Sequence, residues 1–391
     1  MAVNELTFNQ LSTVLNAIVS QATGNSNITP TNTGEFVSVA QVGLKAGYDP
    51  VLGAISQVLS NTIFSTRPYS AKFKGLEVSN RRYGAITRKL NTVDKNWEND
   101  ARMTLTDGQS VDQYTVNKPE IIQTNFYGAT VYEKSLTIFR DQLDNAFKGP
   151  DEFGEFLAMI TQNANDMIIQ AHENTARATI ANLMGGVIDY ADARTVKLVT
   201  LYNNAAGTTL TPGDVFAPEN FAPFIRWAYA MIMSVSDALT ERTSVYHTNL
   251  TGKPINRHTP KEYQNLYLYA PYLRQVDAQV KTVNFNNGFM DIGNYEAVNF
   301  WQAIGNPDKI NVKATRLNPA DGTLTTAAEA VSTGNIFGVL FDREAAGFSV
   351  FNQWSASSPF NAKGGYSNMF WHFTERYWND FTENAVIFLL A

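Results

Sequence analysis

The amino-acid sequence predicts an α+β fold in which one long helix lies against short, mostly antiparallel strands. Three features of the sequence predict it. The stretch from Asp151 to Met184 keeps its apolar side chains on one helical face. The chain closes with an apolar run, AVIFLLA, from Ala385 to Ala391, which is too short to span a bilayer and is either a buried strand or an exposed apolar patch. Residues 70–119 alternate in short segments broken by Gly and Asn, which predicts a long two-stranded excursion.

The composition is that of a folded, weakly charged globular protein. Of its 391 residues, 44% are hydrophobic and 17% are charged, which suits a chain of about two or three domains. A formal net charge of −6 does not draw the molecule onto nucleic acid or an anionic membrane. The absence of cysteine excludes a disulfide scaffold, a thiol nucleophile and a zinc ribbon. The first residues lack the basic and apolar segments of a signal peptide, so we expect a cytoplasmic protein.

The N-terminal region predicts two amphipathic helices. Residues 7–10 fit a capping box, and the apolar residues behind them recur at helical spacing. Those apolar residues are Phe8, Leu11, Leu15 and Ile18. A polar stretch without periodicity, QATGNSNITPTNTGE, follows, and a second helix starts at Asp49 and Pro50. Because a short helix on a polar linker has no core of its own, we expect the first helix to dock on the body of the chain or on a neighbour.

The predicted excursion at residues 70–119 has little apolar surface, and its charge changes sign along the chain. The basic residues are Arg81, Arg82, Arg88 and Lys89, and the acidic residues that follow are Asp94, Glu98, Asp100, Asp107 and Asp112. A basic cluster can contact a nucleic-acid backbone, but the acidic run beside it favours protein–protein pairing. An isolated two-stranded ribbon is marginally stable. The excursion is therefore either a solvated insertion or a segment that lies on another surface.

The long helix and the elements after it predict the body of the protein. At about 1.5 Å rise per residue the helix is a rod of roughly 50 Å, and Gly185 with Gly186 is predicted to end it. A strand, IIQTNFYGATVYE, precedes it, and another amphipathic helix starts at Pro218. A capping box at 259–262 and strand-like pieces at 280–285, 295–304 and 336–341 complete a compact α+β region. Two further strands, MFWHFTERYW and ENAVIFLLA, end the chain.

No pattern for catalysis, cofactor binding or metal binding is found. The four histidines are His172, His247, His258 and His372. Their spacing does not match a metal site, and we expect His247 and His258 to be surface residues. A P-loop, a dinucleotide-binding glycine fingerprint and a nucleophile elbow are also missing from the sequence. We therefore expect no enzyme, no catalytic residue, no metal and no cofactor, while a hydrolase with dispersed catalytic residues stays open as a second class.

The order of these elements resembles that of tailed-bacteriophage major capsid proteins, which share the tailed-phage and herpesvirus capsid fold. The resemblance is carried by GYDPVLGAISQVLSNTIFSTRPY with the expected strand start KFKGL after it, by the long helix DEFGEFLAMITQNANDMIIQAHENTARATIANLMGG, and by FWHFTERYWNDFTENAVIFLLA. It implies an N-terminal arm at 1–69, an extended two-stranded loop at 70–122, a peripheral domain at 123–217 with a spine helix at 151–184, an axial domain at 218–345, and a return into the peripheral-domain sheet at 346–391. The terminal strand would then be an inner strand buried against the spine helix.

The resemblance also implies a function. Many copies would form hexamers and pentamers that close into an icosahedral shell around packaged double-stranded DNA, as the capsid of a virion assembled in the host cytoplasm. The implied partners are other copies of the chain, with scaffolding, portal and cement proteins as further candidates, without a membrane and without sequence-specific DNA binding. Residues expected at inter-subunit contacts are Arg81, Arg82, Arg88, Lys89, Asp94 and Glu98. The alternative is a non-viral structural or binding protein of a surface lattice or an encapsulin-like compartment.

Overall fold

The structure, a computed structural model, describes residues 8–24, 29–47, 49–55, 73–77, 86–95, 100–127, 129–275 and 295–391. Its helices are α1 (Phe8–Thr23), α2 (Thr33–Lys45), α3 (49–55), α4 (Arg140–Ala146), α5 (Pro150–Tyr190), α6 (Leu198–Ala206), α7 (Pro218–Ala238) and α8 (270–275). No helix among these residues combines the length and the apolar character that a membrane span requires.

Within the described residues, the strands form one five-stranded sheet, one three-stranded sheet and three two-stranded ribbons. They are β1 (Ile86–Thr92), β2 (Ile121–Tyr127), β3 (Thr130–Phe139), β4 (Thr195–Lys197), β5 (Gln264–Tyr269), β6 (Tyr295–Val298), β7 (Ile310–Val312), β8 (Thr315–Leu317), β9 (Leu324–Thr326), β10 (Val331–Thr333), β11 (Ile336–Asp342), β12 (Ala346–Ser357), β13 (Tyr366–Asn379) and β14 (Ala385–Leu389). The sheet orders are β4-β14-β11-β5-β6 and β12-β13-β3, and the ribbons are β1-β2, β7-β10 and β8-β9. This mixture confirms the α+β class.

Helix α1 docks on the subunit's own body. Leu15 and Ile18 are fully buried in a cluster with Phe153 at the start of α5. Helix α2 joins the same cluster, because the Phe36 ring lies 5.7 Å from the Phe153 ring. Docking of α1 on the chain itself is thus one of the two outcomes that the sequence predicts.

Helix α2 corrects the expectation of a featureless polar linker. The Asn32 side chain accepts a hydrogen bond from the Glu35 backbone N–H at 2.9 Å, and the Glu35 carboxylate accepts one from the Thr31 N–H at 2.8 Å. These bonds satisfy the free N–H groups of the helix start. The pattern Asn-x-x-Glu in front of an apolar run is the sequence signal for this helix.

The long helix α5 does not end at its glycine pair, as the sequence predicts, but continues to Tyr190. A Cβ atom on Gly185 would lie 2.5 Å from the Val312 side chain, and one on Gly186 would lie 2.5 Å from the Phe381 ring. The two glycines therefore let other segments approach the helix closely. The helix ends at Ala191, whose left-handed backbone (φ 52) donates a hydrogen bond to the Ile188 carbonyl.

Strand β14 is an inner strand of the five-stranded sheet. It pairs antiparallel with β11 and parallel with β4, and all five of its residues are buried. Ile387 packs in the cluster that includes Ile180 and Met184 of α5, while Phe388 belongs to the cluster that includes Phe224 of α7. Burial of this strand against the long helix is therefore confirmed. Both faces of the strand are covered, which explains its continuous apolar sequence.

The sheet that receives β14 differs from the expected one. The sequence predicts that residues 346–391 return together into one sheet, but β12 and β13 pair with β3, whereas β14 pairs with β11. The burial pattern gives the physical reason. Along β13 buried and half-buried residues alternate, which suits a sheet with one open face, and β14 is buried throughout.

The predicted strand IIQTNFYGATVYE is two strands. Residues Ile121–Tyr127 pair with β1, and residues Thr130–Phe139 pair with β13. The pair of β1 and β2 is a two-stranded ribbon, and its second strand, Ile121–Tyr127, extends past residue 122, where the resemblance places the end of the extended loop. Within the range 70–122, Lys74–Leu76 form a short 3-10 turn, so the expectation of a strand start at KFKGL is wrong.

Two local expectations between residues 240 and 265 are also wrong. His247 is buried, because its ring lies between the Asn384 side chain and the Ile255 carbonyl, at 3.1 and 2.6 Å, whereas His258 is exposed. The capping box at 259–262 starts no α-helix, because the Thr259 hydroxyl donates to the Asp342 carboxylate at 2.8 Å. A 3-10 turn at Lys261–Tyr263 follows and leads directly into β5.

Candidate inter-subunit contact site

The candidate site is the two-stranded ribbon of β1 and β2 together with its tip. The strands pair from Ile86 with Tyr127 to Thr92 with Ile121. We call residues 100–120, which connect the strands beyond this ladder, the ribbon tip. A hydrogen bond of 2.9 Å from the Val93 N–H to the Glu120 carbonyl closes its base.

The ribbon tip is exposed along its length. Every side chain from 102 to 120 is solvent-exposed, and its apolar side chains are Met103, Leu105, Val111, Tyr114 and Val116. Tyr114 and Val116 retain 83% and 78% of their accessible surface in the single subunit. Single exposed apolar residues are ordinary, but several on one projecting segment mark a contact surface.

Lys89 joins the ribbon to the body of its own subunit. Its Nζ lies 2.9 Å from Asp380 and 3.1 Å from Glu344, and it also contacts Glu383. Asp380 and Glu383 are buried, and the Arg257 guanidinium lies 3.1 Å from Glu383. Burial opposes the charge on Lys89, but the attraction of the carboxylates outweighs it and raises the pKa of the ammonium group. Burial also raises the pKa of the Glu383 carboxyl, against the pull of the two cations.

Asp94 connects the base of the ribbon tip to residues 242–257, which lie between α7 and β5. Its carboxylate accepts a hydrogen bond from the Asn256 N–H at 2.7 Å and pairs with the Arg242 guanidinium at 3.0 Å. The backbone donor at Asn256 and then Arg242 hold the pKa of this carboxyl below its ordinary value. Lys253 pairs with Glu120 at 2.8 Å on the same side.

The six residues that the sequence predicts at subunit contacts thus have different positions in the structure. Lys89 and Asp94 have partners inside their own chain, while Arg88 is exposed on β1 opposite Asn125. Arg81, Arg82 and Glu98 lie outside the described residues. Among the described residues, no group of three or more potential ligands is arranged to hold a metal ion.

Sequence reasoning missed the partners of the ribbon. Asp380 and Glu383 lie about 290 residues from Lys89 along the chain, at separations of 291 and 294. Their only local signal is the acidic and polar segment NDFTEN between two apolar strands. A polar segment there predicts a turn, and nothing in it identifies a lysine on a distant strand as its partner.

Comparisons with known proteins agree with this architecture. The chain is similar to a chain of the capsid structure of Staphylococcus phage Andhra, with a TM-score of 0.50, 10% identity, and coverage of 83% of this chain and 85% of that one. It is equally similar to a chain from the structure of the head fiber and inner core protein of native bacteriophage P68, with a TM-score of 0.50, 10% identity, and coverage of 82% and 84%. At these identities the likeness concerns the fold. A search of curated protein sequences finds no significant match.

The sequence itself identifies the family. The sequence model of the Phi29-like phage major capsid protein family matches residues 15–389, which is nearly the whole chain. A match of this extent does not favour the alternative of a surface-lattice or compartment protein. The chain belongs to the Phi29-like phage major capsid protein family and is a major capsid protein.

Proposed function

We propose that the ribbon tip is the segment through which each subunit contacts the next one in hexameric and pentameric rings, and that these rings close into an icosahedral shell around double-stranded DNA. As a major capsid protein, the chain is a structural component of the virion, and many copies of it build the shell. The observation that supports the contact role is that every residue from 102 to 120 is solvent-exposed, the apolar ones included. Ordering such a segment needs a surface outside its own subunit.

The proposed division into a peripheral and an axial domain follows the two larger sheets. We assign the peripheral domain to α5 with the sheet β12-β13-β3, and the axial domain to α6 and α7 with the five-stranded sheet, which β14 completes. Residues 1–69 are the N-terminal arm of this proposal. The continuous packing of α5 against both sheets supports a subunit in which the spine helix joins the two domains.

The charged residues of the ribbon are proposed to have two different roles. Arg81, Arg82, Arg88 and Glu98 are proposed to meet opposite charges on the next subunit, where exposed pairs act mainly on specificity and rate. Lys89 and Asp94 serve the contact indirectly, because their partners are in their own chain. A net charge of −6 suits a container, because a strongly basic lining would bind the DNA by counterion release. The protein is proposed to be neither an enzyme nor a cofactor carrier.

Replacing the two most prominent side chains of the tip tests this function. The double variant Tyr114→Ser, Val116→Ser is expected to abolish closed shells while changing the free energy of unfolding of the subunit by less than about 0.5 kcal/mol. Each lost contact is small, but it is repeated around every ring and across the shell. Negative-stain electron microscopy and light scattering measure assembly, and chemical denaturation measures stability.

Ile304→Ser is the control, because Ile304 is 81% exposed and is not part of the ribbon or its tip. The control is expected to assemble like the parent protein. Shells of normal size and yield from the double variant would refute the contact role of the tip. The proposed scaffolding, portal and cement proteins are co-expressed with the double variant and with the control alike. Both proteins are assembled in the cytoplasm of the host.

A further inference from the structure

We infer that Lys89 is a positioning residue that locks the ribbon onto its own subunit and thereby sets the direction in which the ribbon tip projects. The inference rests on the proposed contact role of the tip. It assigns to Lys89 a conformational task inside one subunit, in place of the direct inter-subunit contact that the sequence predicts.

The acceptor side of this contact is rigid. Asp380 accepts hydrogen bonds from the Thr382 N–H at 2.9 Å and the Thr382 hydroxyl at 2.6 Å, and its own N–H donates to the Ala345 carbonyl at 2.7 Å. Arg257 donates to the Thr382 carbonyl at 3.0 Å. This turn joins β13 to β14, so the carboxylates that bind Lys89 are fixed where the two sheets meet.

Apart from Lys89, the ribbon is held on the body of its subunit by weak interactions. Its other ion pairs with the body, Asp94 with Arg242 and Glu120 with Lys253, are partly open to water, with side-chain accessibilities between 29% and 62%, and such pairs contribute little. Its aromatic contact is a tilted pair in which the Phe126 and Trp378 ring centroids are 6.4 Å apart. Near the base, Asn91 and Val93 are buried as well. A two-stranded ribbon of this size is only marginally stable by itself, so it depends on these attachments.

Lys89 differs from the other attachments because it neutralises buried charge. While the ribbon lies on the body, the carboxylates of Asp380 and Glu383 are shielded from water, and without the ammonium group these two buried charges would be left with one cation, Arg257, which pairs with Glu383. If the ribbon lifts away, water reaches both carboxylates. Loss of the cation therefore favours lifting of the ribbon, with the rest of the subunit still folded.

Amide hydrogen exchange on the full-length, unassembled subunit tests the inference. In Lys89→Met, amides of β1 and β2 are expected to exchange at least about tenfold faster than in the parent, while amides of β14 are unchanged. Arg88→Met removes the same charge from the neighbouring exposed residue and is expected to stay within about twofold of the parent. Glu344→Gln changes the one exposed carboxylate of the cluster, whose side chain is 57% accessible, and is expected to have a similarly small effect.

Assembly of the same variants separates this inference from the proposed function. Lys89→Met is expected to give few closed shells, and Arg88→Met is expected to give more closed shells than Lys89→Met.

Unchanged amide exchange in β1 and β2 of Lys89→Met would refute the lock, whatever the assembly result. Faster exchange in β14 as well would make Lys89 an ordinary stabilising residue and would also overturn the inference. Faster exchange in the ribbon alone together with normal shells would show that its direction does not matter, which contradicts the positioning role. Failure of the Tyr114 and Val116 variants to affect assembly would instead reject the contact role of the tip.

Discussion

Deleting residues 386–391 is expected to leave no soluble, folded subunit. The deletion removes an inner strand of the five-stranded sheet, including the fully buried Val386, Ile387 and Phe388. Burying its five large apolar side chains contributes roughly 7–15 kcal/mol before conformational entropy is subtracted. That contribution is comparable to the whole net stability of a domain, about 5–15 kcal/mol. The soluble fraction after expression and the far-ultraviolet circular dichroism of any soluble protein measure the outcome.

A single substitution in the same strand measures how much one of its side chains contributes to stability. Phe388→Ala is expected to lower the free energy of unfolding by about 3–5 kcal/mol, because Phe388 fills the space between the sheet and α7. Met103→Ala removes a side chain that is 84% exposed and is the control, with an expected change of less than about 0.5 kcal/mol. A deletion variant that remained soluble and assembled into shells would show that β14 is dispensable.

Gly186→Ala is expected to destabilise the subunit, although glycine to alanine normally stabilises a helix. The usual gain from replacing a glycine inside a helix is about 0.5–1 kcal/mol. At Gly186 the new methyl group would lie 2.5 Å from two atoms of the Phe381 ring, which is itself buried. Forcing such a contact costs about 1–3 kcal/mol or more and outweighs the gain. Denaturant unfolding of the purified variant measures the sign and the size of the change.

Gly154→Ala is the matched control in the same helix. A Cβ at this position would lie 3.3 Å from a terminal methyl group of Leu11, which can shift by a small amount. We therefore expect a change between zero and the ordinary helix gain of about 1 kcal/mol. Stabilisation by Gly186→Ala comparable to that of Gly154→Ala would mean that Phe381 does not pack closely on α5.

The regular elements could be predicted from the sequence because their signals are local. The long helix, α7 and the terminal strand follow from the spacing of apolar residues, which repeats over many positions. The glycine pair shows the limit of this reasoning. Glycine serves both as a helix stop and as a point of close packing, and the choice depends on Val312 and Phe381, which lie far away in the chain.

The candidate site was predictable only in part, for a related reason. A charge-rich segment with little apolar surface correctly indicates a ribbon without a core of its own. It does not distinguish Arg88, which is exposed, from Lys89, whose ammonium group meets buried carboxylates. Adjacent residues of a strand point to opposite faces, and the carboxylates that Lys89 contacts belong to residues after 340. Charge alone therefore predicts the ribbon but not its attachment.

The place of β14 in its sheet also has a consequence for synthesis of the protein. Every other strand of that sheet precedes β14 in the chain, so the ribosome makes the inner strand last. At about 5–20 residues per second, β4 is complete roughly 10–40 s before the strand that pairs with it. Until then the β11 edge is unpaired, and the apolar faces of α5 and α7 are only partly covered. A polypeptide from a stalled or prematurely terminated translation cannot complete this sheet, so the shell is built only from subunits that have been translated at least as far as β14.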